Sequence, residues 1–550
     1  MRPVSPRRLI GLAVVTLSVI SSCAGRQASS PEEAPELPST AAAVTVTPQG
    51  EPTPGGTLVY GLEAESDGWN PARNRWALSG LMVAMAVYDP LAMLDERGEP
   101  HPYLAEAIQP NADYTVWTIR LREGVRFHDG TPLEARHVAR ALEEFRRSGL
   151  TGAALSPIAE VRTEDAMTVS VRMKHPWAAF PTILTGQVGV VPHPSVFDTE
   201  EGSARPVGTG PFRFEEWVPG KHWRGTRNEN YWRRGLPLLD RVEFRPLSEP
   251  RTRANAVASG EVHVIHTSGD EDILRFTEAA RRGEVQLVED QGESEEVFVL
   301  LNTAAPPFDD VRVRRALSYA TDRQAFIEAL GNGILEPAYG PFSPSSPWYV
   351  DAGVPAYSPS RARQIVREVQ QERGEIRFTM ESPPGEGSVA AAQALQDMWE
   401  EVGFRVELKT AEQSQYILDA LAGRYQAKLW RHFSSPDPDG DYHWWHSSGA
   451  RPIGELSLNY ARLRDAEIDD ALDRGRRSAD RSTRLRAYAE FQRRLGDLVP
   501  YVFIHRVRWV IVADPAVHDL TTGTLPDGAR IMPLNAGWHP LTHAWIERRG

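Results

Sequence analysis

The architecture of the chain is most legible in one stretch, Trp117-Thr118-Ile119-Arg120-Leu121-Arg122-Glu123-Gly124-Val125-Arg126-Phe127-His128-Asp129-Gly130-Thr131-Pro132-Leu133. Its first six residues alternate between apolar and polar, which predicts a strand with one buried and one solvated face. Asp129-Gly130 predicts a turn, after which Thr131 offers an N-cap and Pro132 a first helical residue. A helix should follow, with an apolar face formed by Ala135, Val138, Leu142 and Phe145.

Two further stretches predict strands covered on both faces, because they are continuous apolar runs rich in β-formers. They are Val297-Phe298-Val299-Leu300-Leu301 and Tyr501-Val502-Phe503-Ile504. Helical stripes flank them in sequence: Val313, Ala316, Leu317 and Ala320 after the first run, and Leu485, Tyr488, Phe491 and Leu495 before the second. Strands of this kind occupy the middle of α/β sheets, so the sequence predicts an α/β fold.

The length and charge of the chain limit what it can be. Its 550 residues exceed the roughly 250 to 300 that one hydrophobic core supports, so we expect two or more lobes. The balance of 61 Lys and Arg against 74 Asp and Glu gives a net charge of −13, which argues against a broad nucleic-acid-binding surface. With 41% hydrophobic and 25% charged residues, the composition excludes wholesale disorder and a polytopic membrane protein.

The N-terminus has the pattern of an export signal. Three arginines precede an apolar run of about 12 residues, Leu9 to Ile20, which is too short to span a bilayer. The following Ile20-Ser21-Ser22-Cys23 resembles a bacterial lipobox, so residues 1–22 are predicted to be a signal peptide and Cys23 to be lipidated. The alternative is an unmodified thiol. Residues 23–54 are rich in Pro, Ala, Ser and Thr and are predicted to form a disordered tether.

The motifs of common catalytic sites are missing from the sequence. It has no Gly-x-Ser-x-Gly elbow, no His-Glu-x-x-His, no phosphate-binding Gly-x-x-x-x-Gly-Lys loop and no Cys pair for zinc. We therefore predict no catalytic residues, no resident metal and no cofactor.

The richest polar and aromatic cluster runs from Trp430 to His446. Its three aspartates at alternate positions suggest a calcium loop, but Tyr442 replaces the required Gly and Ser448 the required Glu, so we reject an EF-hand. The histidines and aspartates of the segment could instead hold a transition metal, although Pro, Asp and Gly in this order are also turn formers. The candidate metal ligands are His432, His443, His446, Asp437, Asp439 and Asp441.

The tryptophans of this segment are open to two interpretations. Aromatic side chains bury large areas, so they could belong to the core, or they could form a wall on which a ligand stacks. Both interpretations apply to Trp430, whereas packing is favoured for Trp444 and Trp445.

Several motifs appear in a fixed order along the chain. They are Gly56-Thr57-Leu58-Val59-Tyr60, Tyr88-Asp89-Pro90-Leu91, Tyr103-Leu104-Ala105, the stretch 117–133, Gly208-Thr209-Gly210-Pro211-Phe212, Asn230-Tyr231-Trp232, and Asn302-Thr303 through Arg314-Arg315-Ala316-Leu317. Together they resemble the extracellular solute-binding proteins of ABC importers, specifically the dipeptide and oligopeptide class known as family 5. The match extends from about residue 55 to 520.

This resemblance implies a bilobal α/β fold like that of the type II periplasmic binding proteins. Two lobes with mixed sheets would be joined by a two-strand hinge and would enclose the solute on closure. We assign residues 55–88, 205–300 and 507–550 to lobe I, 89–204 to an extra subdomain of lobe I, and 301–506 to lobe II. The two predicted buried strands fit the hinge crossovers.

The sequence departs from the family at its ligand anchor. Peptide-binding members have a Trp followed three residues later by an Asp that pairs with the peptide's amino group, whereas here Trp430 is followed by Phe433. Because a buried ammonium needs a partner charge, either Asp437 or Asp439 has taken that role or the solute is not a peptide with a free N-terminus. Replacing Asp437 by Asn is then expected to weaken binding at least tenfold. The candidate ligand-binding residues are Trp430, Arg431, His432, Asp437, Asp439 and Tyr442, of which Arg431 and His432 suit an anionic or polar group.

The resemblance implies a non-enzymatic, monomeric, solute-binding subunit of an ABC importer. It would be lipid-anchored at the extracytoplasmic face of the bacterial cell membrane, where it would capture a peptide or peptide-like solute and deliver it to the permease. One alternative is a binding protein for a metal chelate or an oligosaccharide. Another, of a different class, is a surface hydrolase or a signalling receptor.

Overall fold

The structure is a computed structural model that describes residues 51–289, 295–433, 435–534 and 537–547. The predicted signal peptide, Cys23 and most of the predicted tether lie outside the described residues. No helix within the described ranges is both long and apolar enough to cross a bilayer.

The strands of the described chain are β1 (Thr57–Leu62), β2 (Ala92–Leu94), β3 (Pro100–Pro102), β4 (Ala105–Pro110), β5 (Val116–Leu121), β6 (Ile158–Thr163), β7 (Thr168–Met173), β8 (Phe212–Val218), β9 (His222–Arg227), β10 (Arg241–Pro246), β11 (Val264–Thr267), β12 (Gln286–Glu289), β13 (Glu295–Leu301), β14 (Arg377–Ser382), β15 (Arg405–Thr410), β16 (Ala427–Phe433), β17 (Tyr501–Arg506), β18 (Val510–Ala513), β19 (Val517–His518) and β20 (Trp545–Ile546).

The helices are α1 (Leu78–Val87), α2 (Ala135–Arg147), α3 (Phe180–Ile183), α4 (Ser195–Asp198), α5 (Glu200–Ala204), α6 (Pro250–Ser259), α7 (Asp270–Arg281), α8 (Val311–Ala320), α9 (Arg323–Leu330), α10 (Pro359–Arg373), α11 (Glu386–Glu401), α12 (Gln413–Ala422), α13 (Tyr442–Trp445), α14 (Ala466–Arg477) and α15 (Arg481–Leu498). Short 3₁₀ helices cover Gln187–Gly189, Pro438–Asp441 and Ser447–Gly449.

A mixed sheet of seven strands forms lobe I, in the order β12-β18-β11-β1-β10-β9-β8. Strand β1 lies in its middle and runs parallel to both β10 and β11. Helices α6 and α7 pack on the sheet through buried apolar side chains, namely Ala254, Val257, Ile273 and Phe276. The carboxyl end of β1 therefore lies at the edge where parallel strands of α/β sheets commonly meet ligands.

The extra subdomain is a four-stranded antiparallel sheet in the order β4-β5-β7-β6, with α2 against it. The predicted alternation in β5 is confirmed: Trp117, Ile119 and Leu121 are buried, whereas Thr118 and Arg120 are exposed. The predicted apolar face of α2 is buried as well. The predicted cap was wrong, because the helix begins at Ala135 and its N-cap is Glu134, which forms a capping box with His137.

A buried hydrogen-bond network connects three of the sequence motifs, those that contain Asp89, Thr209 and Tyr231. The Asp89 carboxylate accepts hydrogen bonds from the Thr209 hydroxyl (3.0 Å), the Tyr231 hydroxyl (2.9 Å) and the Trp232 indole N–H (2.9 Å). Gly210 approaches the backbone of Val87 so closely that a Cβ atom would lie 2.5 Å from its carbonyl oxygen, so this position requires glycine. These motifs join the extra subdomain to lobe I.

A second mixed sheet, in the order β15-β14-β16-β13-β17, forms lobe II. Both predicted core strands are confirmed, since every residue of β13 is buried and β17 is buried at all positions except His505, which is half-buried. Strand β13 is antiparallel to both of its neighbours. The predicted stripe of α15 is buried at three of its positions, but Leu485 is 36% exposed at the helix surface.

The chain passes between the lobes twice, from β12 to β13 and from β17 through residues 507–509 to β18. The predicted boundary at residue 300 falls inside β13, which pairs along its length with strands of lobe II. We therefore place this boundary before Glu295 in the predicted division. The two core strands belong to lobe II and lead into the crossovers rather than forming them.

Candidate functional site

Three of the candidate residues, Trp430, Arg431 and His432, lie on β16. Because side chains alternate along a strand, Trp430 and His432 point to one face of the sheet, and Arg431 and Phe433 to the other. The contacts agree with this alternation. Trp430 packs against the core of lobe II, whereas Arg431 and Phe433 both lie against Trp509, in the crossover between the lobes.

Four aromatic side chains form a continuous wall on lobe II: Tyr416, Trp430, Tyr460 and Trp444. Trp430 stacks on Tyr416, with ring centroids 5.6 Å apart, and meets Tyr460 edge-on at 5.4 Å. Tyr460 then lies 4.5 Å from Trp444. Burial raises the pKa of the Tyr460 hydroxyl, and the charge of Arg75 in lobe I opposes that rise. Trp430, Trp444 and Tyr460 are half-buried, with one side on the core and another exposed.

The Arg431 guanidinium is held by the protein through one nitrogen, and part of the side chain is exposed. One guanidinium nitrogen donates to Glu295 Oε2 at 2.7 Å, and this buried oxygen also accepts the Trp509 indole N–H at 2.7 Å. Burial opposes the charge of Arg431, but the carboxylates of Glu295 and Glu63 outweigh it and raise its pKa. Because 48% of its side chain is exposed, the guanidinium retains donors for a further anion or polar group.

His432 belongs to a buried ionic cluster. Its Nδ1 lies 3.5 Å from Glu296, its Nε2 lies 3.4 Å from Asp441, and its ring stacks on Trp444 at 4.2 Å. Burial lowers the pKa of His432, but Asp441 and Glu296 outweigh this effect and raise it to about 10. Burial also raises the pKa of Glu296 to about 7, although His432 and Arg506 oppose that rise. His432 is therefore charged and held by protein carboxylates.

Asp437, Asp439, Tyr442, Arg476 and Arg484 form a group that we call the rim cluster. Both oxygens of Asp437 accept from Arg484, at 2.6 and 2.8 Å, and Asp439 accepts from Arg476 at 2.6 Å. The Arg476 guanidinium lies 3.5 Å above the Tyr442 ring. Both carboxylates are buried. Asp437 and Asp439, the two expected ammonium anchors, each already pair with an arginine: Asp437 with half-buried Arg484 and Asp439 with buried Arg476.

The rim cluster joins lobe II to the extra subdomain. The Trp177 indole N–H donates to Asp439 Oδ2 at 2.7 Å, and the Ala178 amide donates to the Arg476 carbonyl at 3.0 Å. These hydrogen bonds link the rim cluster of lobe II to the segment that follows β7 in the extra subdomain.

The candidate metal ligands of this segment contact other protein groups. His446 lies 3.7 Å from Asp469 and stacks on Tyr442, whereas His443 faces Ser156 of the extra subdomain at 3.5 Å. In the part of the chain that the structure describes, no three His, Cys, Asp or Glu side chains form a group able to hold a metal ion. His432 is held by its own ionic cluster, whereas His443 and His446 both pack on the Tyr442 ring, at 5.2 and 4.4 Å.

The sequence analysis missed Glu63, the residue after β1. It follows the central strand of lobe I, and its carboxylate forms no hydrogen bond or ion pair with any of the described residues. Burial raises the pKa of Glu63, and the charges of Arg431 and Arg253 oppose that rise. A charged residue directly after a buried strand was the available signal, since such positions lie at the edge where α/β sheets bind ligands.

Comparisons with known proteins agree with this architecture. Residues 99–452 match the family model described as bacterial extracellular solute-binding proteins, family 5 Middle. The chain is 26% identical over 518 residues to Di/tripeptide-binding protein 2 of Pseudomonas aeruginosa, across 87% of this chain and 93% of that protein.

Two solved structures illustrate the shared fold. The oligopeptide-binding protein AppA from Bacillus subtilis, in complex with a nonapeptide, is similar with a TM-score of 0.76 and 21% identity, over 90% of this chain and 100% of that one. The binding protein AgaA from A. tumefaciens R10, in complex with agropinic acid, has a TM-score of 0.76 and 25% identity, over 90% and 99% of the two chains. These similarities confirm the predicted α/β fold of periplasmic binding proteins.

Proposed function

Because the chain belongs to the bacterial extracellular solute-binding proteins of family 5, we propose that it captures a peptide or peptide-like solute between its two lobes. Members of this family are binding subunits of ABC importers and are not enzymes. The solute would pass from the closed lobes to the permease.

The aromatic wall carries this proposal. Half-buried aromatic rings beside a few placed polar groups are the usual lining of small-molecule sites, and the exposed sides of this wall offer such a surface. Rings that only packed the core would be covered on all sides. The relative named for di- and tripeptides supports a peptide of short length.

A second candidate is a non-peptide solute that carries an anionic group. Phe433 stands where a peptide anchor would be acidic, and Arg431 offers free donors nearby. The similarity to a protein solved with agropinic acid supports this alternative.

Thermal melting of the purified protein against pools of short peptides tests the proposal. A solute at a hundred times its dissociation constant adds about 2.7 kcal/mol to the stability of the folded state. We expect one pool of di- or tripeptides to raise the melting temperature. If no peptide pool does so while pools of non-peptide organic acids do, the peptide proposal is replaced by the second candidate.

Membrane anchoring through Cys23 is part of the proposal. Two or more acyl chains at this residue would hold the protein at the extracytoplasmic face of the membrane as a monomer. Replacing Cys23 by Ser should move the protein from the membrane fraction to the soluble extracytoplasmic fraction. An unchanged distribution would exclude this anchor.

A further inference from the structure

A cavity of about 350 Å³, here called the junction cavity, lies between the extra subdomain and lobe II. One wall comes from the residues that precede β6 and follow β7, and the other from α13, the 3₁₀ helix after it and the end of α14. The walls meet where Ser156 Oγ lies 3.5 Å from His443 Nε2 and where the Ala178 amide donates to the Arg476 carbonyl at 3.0 Å. Two parts of the chain that are remote in sequence therefore line this cavity.

Lys174 carries a charge in the junction cavity that no described carboxylate compensates. Its ammonium donates to the Ser156 carbonyl at 2.7 Å, and no Asp or Glu oxygen of the described residues lies within 4.0 Å of it. An ammonium has three N–H donors, so two remain for another acceptor. Because Lys174 is exposed and belongs to the lining, these donors are available to a molecule in the cavity.

The opposite wall adds two arginines and one carboxylate. Arg477 donates to Asp473 Oδ2 at 2.6 Å, and Asp473 Oδ1 accepts the Tyr442 hydroxyl at 2.6 Å, so both oxygens of this carboxylate are engaged. Arg476 donates at 2.6 Å to Asp439, which lies outside the lining. Arg477 keeps 50% of its side chain exposed, and its guanidinium has further N–H donors for a molecule in the cavity.

Two imidazoles of the same wall contribute polar groups without charge. Burial and the charge of Arg476 lower the pKa of His443 to about 4. Burial also lowers the pKa of His446. Both rings are therefore neutral at pH 7, and neither repels nor replaces an anion.

One more carboxylate and one more cation border the cavity from behind its lining. Asp469 lies 3.7 Å from His446, and Arg451 donates to the Ser448 carbonyl at 2.9 Å. These two charges are of opposite sign, so the charge of Lys174 remains uncompensated.

We propose that the junction cavity binds a small oxyanion, whose carboxylate or phosphate oxygens are held by Lys174 on one wall and Arg477 on the other. Lysine supplies a compact charge and arginine a planar fork, and both form charge-assisted hydrogen bonds with such oxygens. This inference goes beyond the proposed function, because Tyr442 and His443 of α13 line the cavity, whereas Trp444 of the same helix belongs to the aromatic wall.

Isothermal titration calorimetry at pH 7, at constant ionic strength and in a buffer free of carboxylate and phosphate, tests this site. The probes are citrate and inorganic phosphate. We expect at least one of them to bind saturably, with one site per chain. Tighter binding of citrate would assign the site to carboxylates, and tighter binding of phosphate would assign it to phosphate groups. Saturable binding of neither would overturn the proposal.

Variants assign the two walls. Lys174→Gln and Arg477→Gln should each weaken the bound probe about tenfold or more, since each removes hydrogen bonds from a charged group, whereas Lys174→Arg should retain most of the affinity. The first matched control is Lys221→Gln, at an exposed lysine between β8 and β9 that has no described carboxylate within 4.0 Å. The second is Arg424→Gln, at an arginine that is 50% exposed and pairs with Asp419, as Arg477 pairs with Asp473.

The outcomes separate a built site from general attraction of anions to the surface. Losses as large in the control variants, or an affinity that Lys174→Gln leaves unchanged, would overturn the proposal. Thermal unfolding without a probe checks that each variant is folded, and all four substituted side chains are exposed. The titration needs no solute, so a failure of this site would leave peptide capture standing, and a failure of the peptide pools would leave this site standing.

Discussion

The rim cluster and two other charged residues, Glu63 after β1 and Arg431 on β16, differ in how their charges are satisfied. At the rim, Asp437 pairs with half-buried Arg484 and Asp439 with buried Arg476, and the Trp177 indole N–H donates to the second oxygen of Asp439. In the cleft, Glu63 has no hydrogen-bond or ion-pair partner among the described residues, and Arg431 keeps about half of its side chain exposed. Residue type and motif position therefore do not show which acids are already paired within the protein. Their contacts in the structure do.

The strongest way to test the rim is to break one of its ion pairs. Replacing Arg484 by Leu leaves the buried Asp437 carboxylate without its partner, and such a loss costs about 3–5 kcal/mol of unfolding free energy. Urea denaturation followed by tryptophan fluorescence measures this. The control is the double variant Asp437→Leu with Arg484→Leu, which removes both charges and should recover most of the loss; equal losses in both would show that packing, not charge, holds the rim.

The pH dependence of stability tests whether His432, like the rim carboxylates, has its charge paired within the protein. The pKa of folded His432, about 10, lies above the ordinary value near 6.5, so its contribution is complete below pH 6.5 and is lost as the pH rises through 10. Glu296, with a pKa of about 7, is half ionised at pH 7 and largely ionised by about pH 8, so the window that isolates His432 begins there. Between about pH 8 and 10 the unfolding free energy should fall by at most about 1.4 kcal/mol per pH unit.

Replacing His432 by Gln should flatten this slope. His443→Gln is the matched control, because burial and Arg476 lower the pKa of His443 to about 4 and leave it neutral throughout the window. A slope that survives in the His432 variant would assign the pH dependence to other groups.

The hydrogen bond from Trp177 tests whether the rim holds the lobes closed. Replacing Trp177 by Phe removes a hydrogen bond to a carboxylate, which is worth about 1.5–3 kcal/mol, so the ratio of closed to open protein should fall at least tenfold. Small-angle X-ray scattering should show a larger radius of gyration. In Trp545→Phe the lost bond goes to Asp519 within lobe I, so the radius should not change. Equal radii for all three proteins would contradict a role of Trp177 in closure.

The smallest expected effect lies in the aromatic wall. Replacing Tyr460 by Leu removes contacts with Trp430 and Trp444 and should weaken the solute found in the peptide screen about three- to tenfold, since an aromatic pair contributes about 0.5–1.5 kcal/mol. Titration calorimetry measures the change. Tyr357→Leu, at a tyrosine that is 46% exposed elsewhere on lobe II, should leave the affinity unchanged; similar losses in both variants would mean that the wall only packs.

The fold could be predicted from the sequence where the order of apolar and polar residues depends only on which faces of a helix or strand are buried. Alternating apolar and polar residues predicted β5, because only one face of that strand is buried. A continuous apolar run predicted β13, because both of its faces are buried. The predicted strand began at Val297 and left out Glu295 and Glu296, which belong to β13 and are buried. Charged residues normally indicate solvent, and only the arginines on β16 and β17 that pair with them make their burial possible.

The candidate site was less accessible to sequence reasoning. Asp439 looked like a ligand anchor because its partners are remote in the chain: Arg476 is 37 residues away and Trp177 is 262. Glu63 was overlooked because nothing near it in the sequence shows that its carboxylate has no hydrogen-bond or ion-pair partner among the described residues. Motifs identify the family and the region of the site, but pairing across lobes decides which charges are free.

The position of β18 governs the order in which this protein can assemble as it is synthesised. In the lobe I sheet, β18 lies between β12 and β11, although its residues 510–513 come near the end of the chain. All of lobe II has left the ribosome before these residues emerge. Lobe II can therefore complete its core first, while β11 and β12 wait with unpaired edges that invite aggregation. The lobe that begins the polypeptide is thus the last to finish folding.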